Sequence, residues 1–492
     1  MGKSSRLLFT KKISSTLLYF GIGYAFIFCF GLFKLPFLTN FFKPEQLGIY
    51  AVINSFLSYI DIVFFSWING TIGRYIYDKK FQSYSTLLSG IFPLLCLAIL
   101  LAGTTTFFLS FLVANTNILM IAFLSGLTNQ LLSLYLTCLL YKHYVSRWCV
   151  FVCLQNLLSF LLLIAFVVFY KLDIRSIFLS TLVGNGVLLV IYLIPRYLRK
   201  SGIVFLRGNL NLYKSLFSFS IMLTITNIFL TALNNADRFI IDYHKSREKL
   251  GQYSQNYSLA TVGFYSFVQL FSTIFSPLYI KNLSSGERPE SNIKIVQLYL
   301  LIFFPVLCFL IFNSSPLTDI LFGKEFRGFS EIFSWVAAGI FCYGFANFFE
   351  TRLKIFNRVR TVASILAIHV CLNIVLNMLL LKWFTINIAA IVTFFCYFSI
   401  MVCFISKNWI FFLQLKLSQL AQNLFWSSAL FLMVCILIKN SSLNNFAILI
   451  INGILGVTIY FLFLRRHYYI IKYSVSEIAN YSAITDNNAL VK

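Results

Sequence analysis

Acidic residues are scarce in this chain: 15 Asp and Glu among 492 positions, against 39 Lys and Arg. Charged residues of both signs reach only 11%, less than half the ~25% of an ordinary soluble domain. Long polar stretches are missing too. The two longest, 196–214 and the tail after Leu464, are too short for an extramembranous domain. There is no C-x-x-C and no Cys/His ligand spacing, which argues against a disulfide framework and against a zinc site. The eleven cysteines all fall in apolar stretches and read as small apolar fillers. No D-x-D is present to hold a metal–nucleotide-sugar, and no substantial external loop to carry catalytic residues. Both absences count against a membrane polysaccharide polymerase or glycosyltransferase. Behind residues 1–12 there is no A-x-A-like cleavage site, so the first apolar helix is expected to be retained rather than removed as a signal peptide.

What the chain has is hydrocarbon. It is 59% hydrophobic, with a mean hydropathy of +0.84. Fourteen apolar stretches follow one another at 14–38, 47–73, 85–112, 117–140, 149–170, 175–195, 213–236, 251–279, 295–317, 329–351, 362–381, 386–406, 419–438 and 445–464. A bilayer core of about 30 Å takes roughly 20 residues of helix. Backbone groups in lipid must bond within their own segment, so each stretch is expected to be a helix. The expected fold class is an all-α polytopic membrane protein of about 14 transmembrane helices.

The net charge of +24 would point to nucleic acid in a soluble protein. Here the cations occupy short loops on alternate sides, roughly 27 on one and roughly 11 on the other, the bias that orients membrane helices. The rich side holds Lys3, Arg6, Lys11 and Lys12, the 196–214 loop, residues 352–360, and Arg465 and Arg466. Both termini are therefore expected in the cytoplasm, in keeping with an even span count, and no nucleic-acid partner is expected.

The chain also repeats itself. Leu47-Gly48-Ile49-Tyr50 opens the second span and Leu250-Gly251-Gln252-Tyr253 the eighth. Phe92-Pro93-Leu94-Leu95-Cys96-Leu97 in the third resembles Phe304-Pro305-Val306-Leu307-Cys308-Phe309 in the ninth. Gln155-Asn156-Leu157-Leu158 in the fifth resembles Leu372-Asn373-Ile374-Val375 in the eleventh. Each pair lies six helices apart. The expected layout is thus two six-helix lobes, 1–208 and 209–410, related by a pseudo-two-fold axis along the membrane normal, with two further helices and a tail over 411–492. Pro93 and Pro305 hold equivalent places and are expected to bend their helices, either as static kinks or as moving hinges.

Four motifs carry a resemblance. They are Leu35-Pro36-Phe37-Leu38 through Pro44-Glu45-Gln46-Leu47-Gly48-Ile49-Tyr50; Asn234-Asn235-Ala236-Asp237-Arg238 with the Leu250 motif; Leu321-Phe322-Gly323-Lys324-Glu325-Phe326; and Leu372-Asn373-Ile374-Val375-Leu376-Asn377 with Ala389-Ala390. Over about 14–410 the chain resembles the polysaccharide-transporter branch of the multidrug/oligosaccharidyl-lipid/polysaccharide flippase superfamily, in particular bacterial O-antigen-unit (lipid-linked oligosaccharide) flippases. One departure stands out: the glycines usual in the eleventh-to-twelfth hairpin are replaced by Phe384, Thr385 and Asn387, so that turn is expected to differ. The resemblance implies a non-enzymatic, multi-pass protein of the bacterial inner membrane. It implies transfer of a polyprenyl-diphosphate-linked oligosaccharide between leaflets by alternating access, with membrane lipids and polysaccharide assembly proteins as partners. The only cofactor it implies is a coupling ion, H+ or Na+. A drug or cation antiporter of the same superfamily is the alternative; it would need carboxylates in its cavity more than cations.

Such a substrate needs cations for its diphosphate, and polar groups for its glycan. Lys34, Arg238, Arg74 and Arg352 are the diphosphate candidates, the lysine as a point charge and the arginines as bidentate forks. Snorkelling for Lys34 and topology signalling for the arginines explain the same residues without a ligand. Asp61, Asp237 and Glu350 are the candidates for ion coupling. Asp61 sits near mid-span, where an ionised carboxylate costs about 2.5–3.5 kcal/mol, so it is expected to be protonated, paired or wet. Asn129, Gln130, Asn185, Asn227, Gln255, Asn256 and Asn373 are candidates to face the glycan, although Asn and Gln also join membrane helices to one another. His369 reads as a hydrogen-bonded packing residue.

Overall fold

The computed structural model describes residues 3–68, 84–112, 116–141, 144–193, 210–285, 289–439, 441 and 443–473. Among these residues every regular element is a helix. In chain order they are α1 (Lys3–Phe41), α2 (Pro44–Phe64), α3 (Tyr84–Leu112), α4 (Thr116–Tyr141), α5 (Val145–Val168), α6 (Arg175–Leu188), α7 (Leu210–His244), α8 (Arg247–Ala260), α9 (Ser266–Ser285), α10 (Pro289–Phe312), α11 (Ser314–Leu321), α12 (Ser330–Ile355), α13 (Val359–Leu380), α14 (Asn387–Lys407), α15 (Trp409–Gln414), α16 (Ser418–Lys439) and α17 (Asn445–Leu464). Each of the fourteen expected stretches overlaps a helix. Eleven of the described helices are long and apolar enough to cross a membrane, and Phe92–Phe108 and Arg175–Ile191 are shorter apolar helices.

The outer surface of these helices is the inverse of a soluble protein's. Phe108, Ile410 and Val457 are 70%, 76% and 73% exposed. Side chains of that kind lie open only where the surrounding solvent is itself hydrocarbon.

Local chemistry sets several helix ends. Pro44 opens α2, where a missing N–H costs nothing, and the Lys43 N–H donates to Gln46 Oε1 at 3.0 Å. Asn444 caps α17 by accepting from the Ala447 N–H at 2.8 Å. Pro93 and Pro305 both lie inside helices, α3 and α10. The hairpin between α13 and α14 closes without glycine. The N–H groups of Trp383 and Phe384 both donate to the Leu380 carbonyl at 3.0 Å, and no residue of 381–386 adopts a positive φ.

By contact the chain forms two compact units. One comprises residues 25–30 and 41–251. In it α2 packs on α7 and α4, α3 packs on α4, and α4, α5 and α6 pack on one another. The other comprises residues 1–24, 31–40 and 252–492. Its centre is α12, which packs on α14, α10 and α9, and α16 and α17 add to it against α10. The fully buried Tyr299 of α10 donates to the Phe341 carbonyl of α12 at 3.0 Å. These units are cut by contact and the expected lobes by sequence repeat. The two divisions do not coincide, because α7 joins the first unit through α2 while most of α1 belongs to the second.

Candidate functional site

The motif residues knit helix ends together. In the first unit the start of α2 crosses the start of α8 at backbone distance. A Cβ added to Gly48 would run into the Arg247 carbonyl, and one added to Gly251 into the Pro44 carbonyl. The repeated Leu-Gly-x-Tyr motif therefore has a steric cause. In the second unit, Thr39 Oγ1 accepts from the Gly323 N–H at 3.1 Å. Gln252 Nε2 donates to the Glu325 carbonyl at 2.9 Å, and Asn256 Nδ2 to that of Phe326 at 3.3 Å. The Leu321–Phe326 motif is thus a docking point for α1 and α8.

Charge inside the first unit gathers on α2 and α7. The Arg238 guanidinium donates to Ser55 Oγ of α2 at 3.3 Å, and that hydroxyl donates to Asn235 Oδ1 at 3.5 Å. Asp237 is fully buried, and both Asp237 and Arg238 lie within electrostatic reach of Tyr59. Phe239 packs against Phe56 and Tyr59. Asp61, half-buried two residues beyond Tyr59, is hydrogen-bonded by Gln130 of α4. An amide donor on a mid-span carboxylate offsets part of the cost of removing it from water. Two residues expected in different roles are thereby brought together.

The other amides of this unit tie helices. Asn129 Oδ1 accepts from Gln155 of α5 at 3.1 Å and from the buried Asn185 of α6 at 3.5 Å. Ser125 and Thr181 pair at 2.7 Å beside them. Asn227 is exposed on α7. Arg74 lies outside the described residues.

In the second unit Lys34 is half-buried on α1. Glu350, 2% exposed, accepts from the Tyr343 hydroxyl at 2.8 Å and pairs with Lys354 at 2.6 Å. Arg352 turns away from that pair and stacks over Phe411 at 4.6 Å and Phe356 at 5.1 Å. Gln255 and Asn256 are buried on α8; Gln255 Oε1 and Asn256 Oδ1 have no hydrogen-bond partner among the described residues. Asn373 donates to Thr393 at 3.4 Å and accepts from Asn377 at 3.2 Å. His369 is satisfied at both ring nitrogens, by the Ile365 carbonyl at 2.7 Å and Ser399 at 2.9 Å.

A group of tyrosines was not anticipated. Tyr24 pairs with Thr273 at 2.7 Å, Tyr265 with Gln269, and Tyr343 stacks obliquely on Tyr397 with ring centroids 5.3 Å apart. Tyr265 lies within electrostatic reach of Tyr343. It closes a π-helical turn, Thr261–Tyr265, of the kind that often marks a functional position. Tyr265 is exposed, and Tyr24, Gln269, Thr273 and Tyr343 are half-buried. Polar side chains left open at mid-span in lipid would be costly, so such residues face polar cavities or partners.

The fold is similar to that of solved membrane transporters. A structure named lipid II flippase MurJ, in an inward closed conformation, superposes with a TM-score of 0.71 over 92% of this chain and 99% of its own, at 14% identity. A MATE transporter of Vibrio cholerae, VcmN, gives a TM-score of 0.56 over 86% of this chain and 100% of its own, at 12% identity. Its bent form gives 0.52 over 84% and 98%, also at 12% identity. No curated protein matches the chain. The sequence model of one family, described as "Polysaccharide biosynthesis protein", matches residues 37–331, more than half of the chain. This multi-pass helical membrane protein belongs to that polysaccharide biosynthesis family.

Proposed function

We propose that this protein is a flippase that carries a polyprenyl-diphosphate-linked oligosaccharide, an O-antigen-like repeat unit, from the inner to the outer leaflet by alternating access. Family membership and a MurJ-like fold support the class of activity. The observation that carries the reading is Arg238. It places a guanidinium on the Ser55 hydroxyl inside the α2–α7 pair, beside Tyr59 and the buried Asp237.

A diphosphate entering a low-dielectric region must be met by cations and hydrogen-bond donors, because an unpaired anion there is strongly disfavoured. Arg238 offers a planar fork for two phosphate oxygens. Lys34, on α1, we propose separately as a cation for the diphosphate. The glycan would be met by amides and by the tyrosines around Tyr265 and Tyr343. Asp61, hydrogen-bonded to Gln130, is the group we assign to ion coupling, with H+ or Na+ as the driving ion. The setting is a bacterial inner membrane with both termini in the cytoplasm, which reporter fusions at Gly2 and Lys492 test directly.

The experiment is glycan export from cells carrying Arg238→Gln or Lys34→Gln at wild-type expression. Either variant should lower export strongly, and Lys34→Arg should retain part of it. Normal export by both Gln variants would refute the assignment. One observation favours a second reading, cation antiport: two carboxylates, Asp61 and Asp237, lie in spans of the same unit. Efflux of a cationic dye that is lost in Asp61→Asn, with glycan export unaffected, would select it.

A further inference from the structure

A groove of about 920 Å³ runs between α10, α16 and α17. Its walls are apolar, with Pro305, Phe309, Phe431, Val457 and Phe461 among them, and Gly453 and Gly456 leave one wall low. The Tyr460 hydroxyl in the wall is already bonded to Ser428 at 2.8 Å. Charge enters the lining only at the rim, through Arg465, which is exposed beside the 62%-exposed Tyr468.

Three contacts define that rim. Asn423 at the start of α16 bonds His467, just beyond α17, at 3.1 Å. Gln297 at the start of α10 donates to the Leu415 carbonyl, just before α16, at 2.8 Å. Lys294, one turn earlier, sits over the Tyr473 ring at 3.3 Å. The rim therefore gathers the start of α10, the start of α16 and the end of α17, with Lys294 and Arg465 as its cations. Along α16, α17 and the segments flanking them carboxylates are missing: no Asp or Glu occurs between Glu350 and Glu477. α10 carries one, Glu290, in its first turn, and Glu290 does not line the groove. Arg465 makes no ion pair among the described residues.

We propose that this groove holds an anionic bilayer phospholipid, its acyl chains along α17 and its phosphate on Arg465. A hydrocarbon-lined groove inside a membrane takes hydrocarbon, and a cation at its mouth without a carboxylate selects an anion. Basic pockets between membrane helices recognise acidic headgroups on this principle. A single guanidinium matches the net single negative charge of phosphatidylglycerol, whereas the choline cation of phosphatidylcholine already offsets its phosphate. The apolar walls offer nothing to a glycan, and the prenyl tail of the proposed substrate is the competing occupant, which the titration below separates from a phospholipid. The inference rests on the membrane reading alone and stands whether or not the protein flips glycans.

The test is native mass spectrometry of the purified full chain, titrated with phosphatidylglycerol, phosphatidylcholine or a prenyl diphosphate. Wild type should retain phosphatidylglycerol over phosphatidylcholine. Arg465→Gln should lower phosphatidylglycerol retention about fivefold, the value of one arginine near an acidic headgroup, and leave phosphatidylcholine unchanged. Val457→Trp, which fills the groove from an exposed position, should lower both. Equal phosphatidylglycerol retention by wild type and Arg465→Gln overturns the proposal. So does displacement of phosphatidylglycerol by an equal concentration of prenyl diphosphate, which would assign the groove to the substrate. Both substituted positions are exposed, and an unchanged thermal melt confirms that each variant is folded.

Discussion

Glu350, Arg352 and Lys354 look alike in sequence, three charges at one helix end. In the structure they part. Positions four apart share a helix face and positions two apart do not, so Lys354 pairs with Glu350 while Arg352 stacks on Phe411. Removing the cation of a buried pair leaves the carboxylate uncompensated, whereas neutralising the carboxylate itself does not. Lys354→Met should therefore destabilise the protein more than Glu350→Gln, by about 1–3 kcal/mol, read as a lower melting temperature in detergent. Equal melting temperatures would remove the asymmetry. Charged candidates such as Asp61 and Arg238 were legible because charge is so rare in this chain. Tyr24, Tyr265, Tyr343 and Tyr397 were not. Among 27 tyrosines nothing in the sequence separates one from another, and only packing shows Tyr24, Tyr265 and Tyr343 on polar partners and Tyr397 against Tyr343. Asp61→Asn gives a second test at this scale: flipping should fall while insertion and expression stay normal. Unchanged flipping, with unchanged dependence on the ion gradient, would leave Asp61 a structural residue bonded to Gln130.

Among the elements, the α2–α8 crossing has the clearest energetic content. The backbones meet at Gly48 and Gly251 with no space for a Cβ. The atoms in the way are carbonyls, which cannot rotate aside as a flexible side chain does. Gly251→Ala should cost about 1–3 kcal/mol through overpacking, measured as loss of thermal stability. An alanine variant as stable as wild type would show that the helix ends separate freely. The repeat of Leu-Gly-x-Tyr was visible in the sequence, but its cause was not, since a glycine in an apolar run signals close approach without naming the partner. Helix existence was legible throughout, because about 20 apolar residues admit little else in lipid. The π-helical turn at Thr261–Tyr265 carries no Pro or Gly pair to announce it. In the α13–α14 hairpin, where Phe384, Thr385 and Asn387 stand at the turn, the Leu380 carbonyl closes it with two N–H donors.

For the whole molecule, the polysaccharide biosynthesis family follows from the sequence and the MurJ-like fold from the structure. Both were foreshadowed by ordered motifs, and the structure places those around Gly48, Gly251 and Gly323 at helix junctions, where backbone geometry limits what can substitute. The compact units were not foreshadowed, because a repeat reports ancestry and packing reports contact. The central claim is movement of a lipid-linked glycan between leaflets. Its most direct measurement is reconstitution of the purified chain into liposomes holding a fluorescent polyprenyl-diphosphate oligosaccharide, with outer-leaflet exposure read by a glycan-cleaving enzyme or lectin that cannot cross the membrane. The account predicts that exposure rises with the wild-type protein, responds to an imposed H+ or Na+ gradient, and falls to near the protein-free rate with Arg238→Gln. Exposure equal to protein-free liposomes with wild-type protein, or equal in wild type and Arg238→Gln, would contradict it.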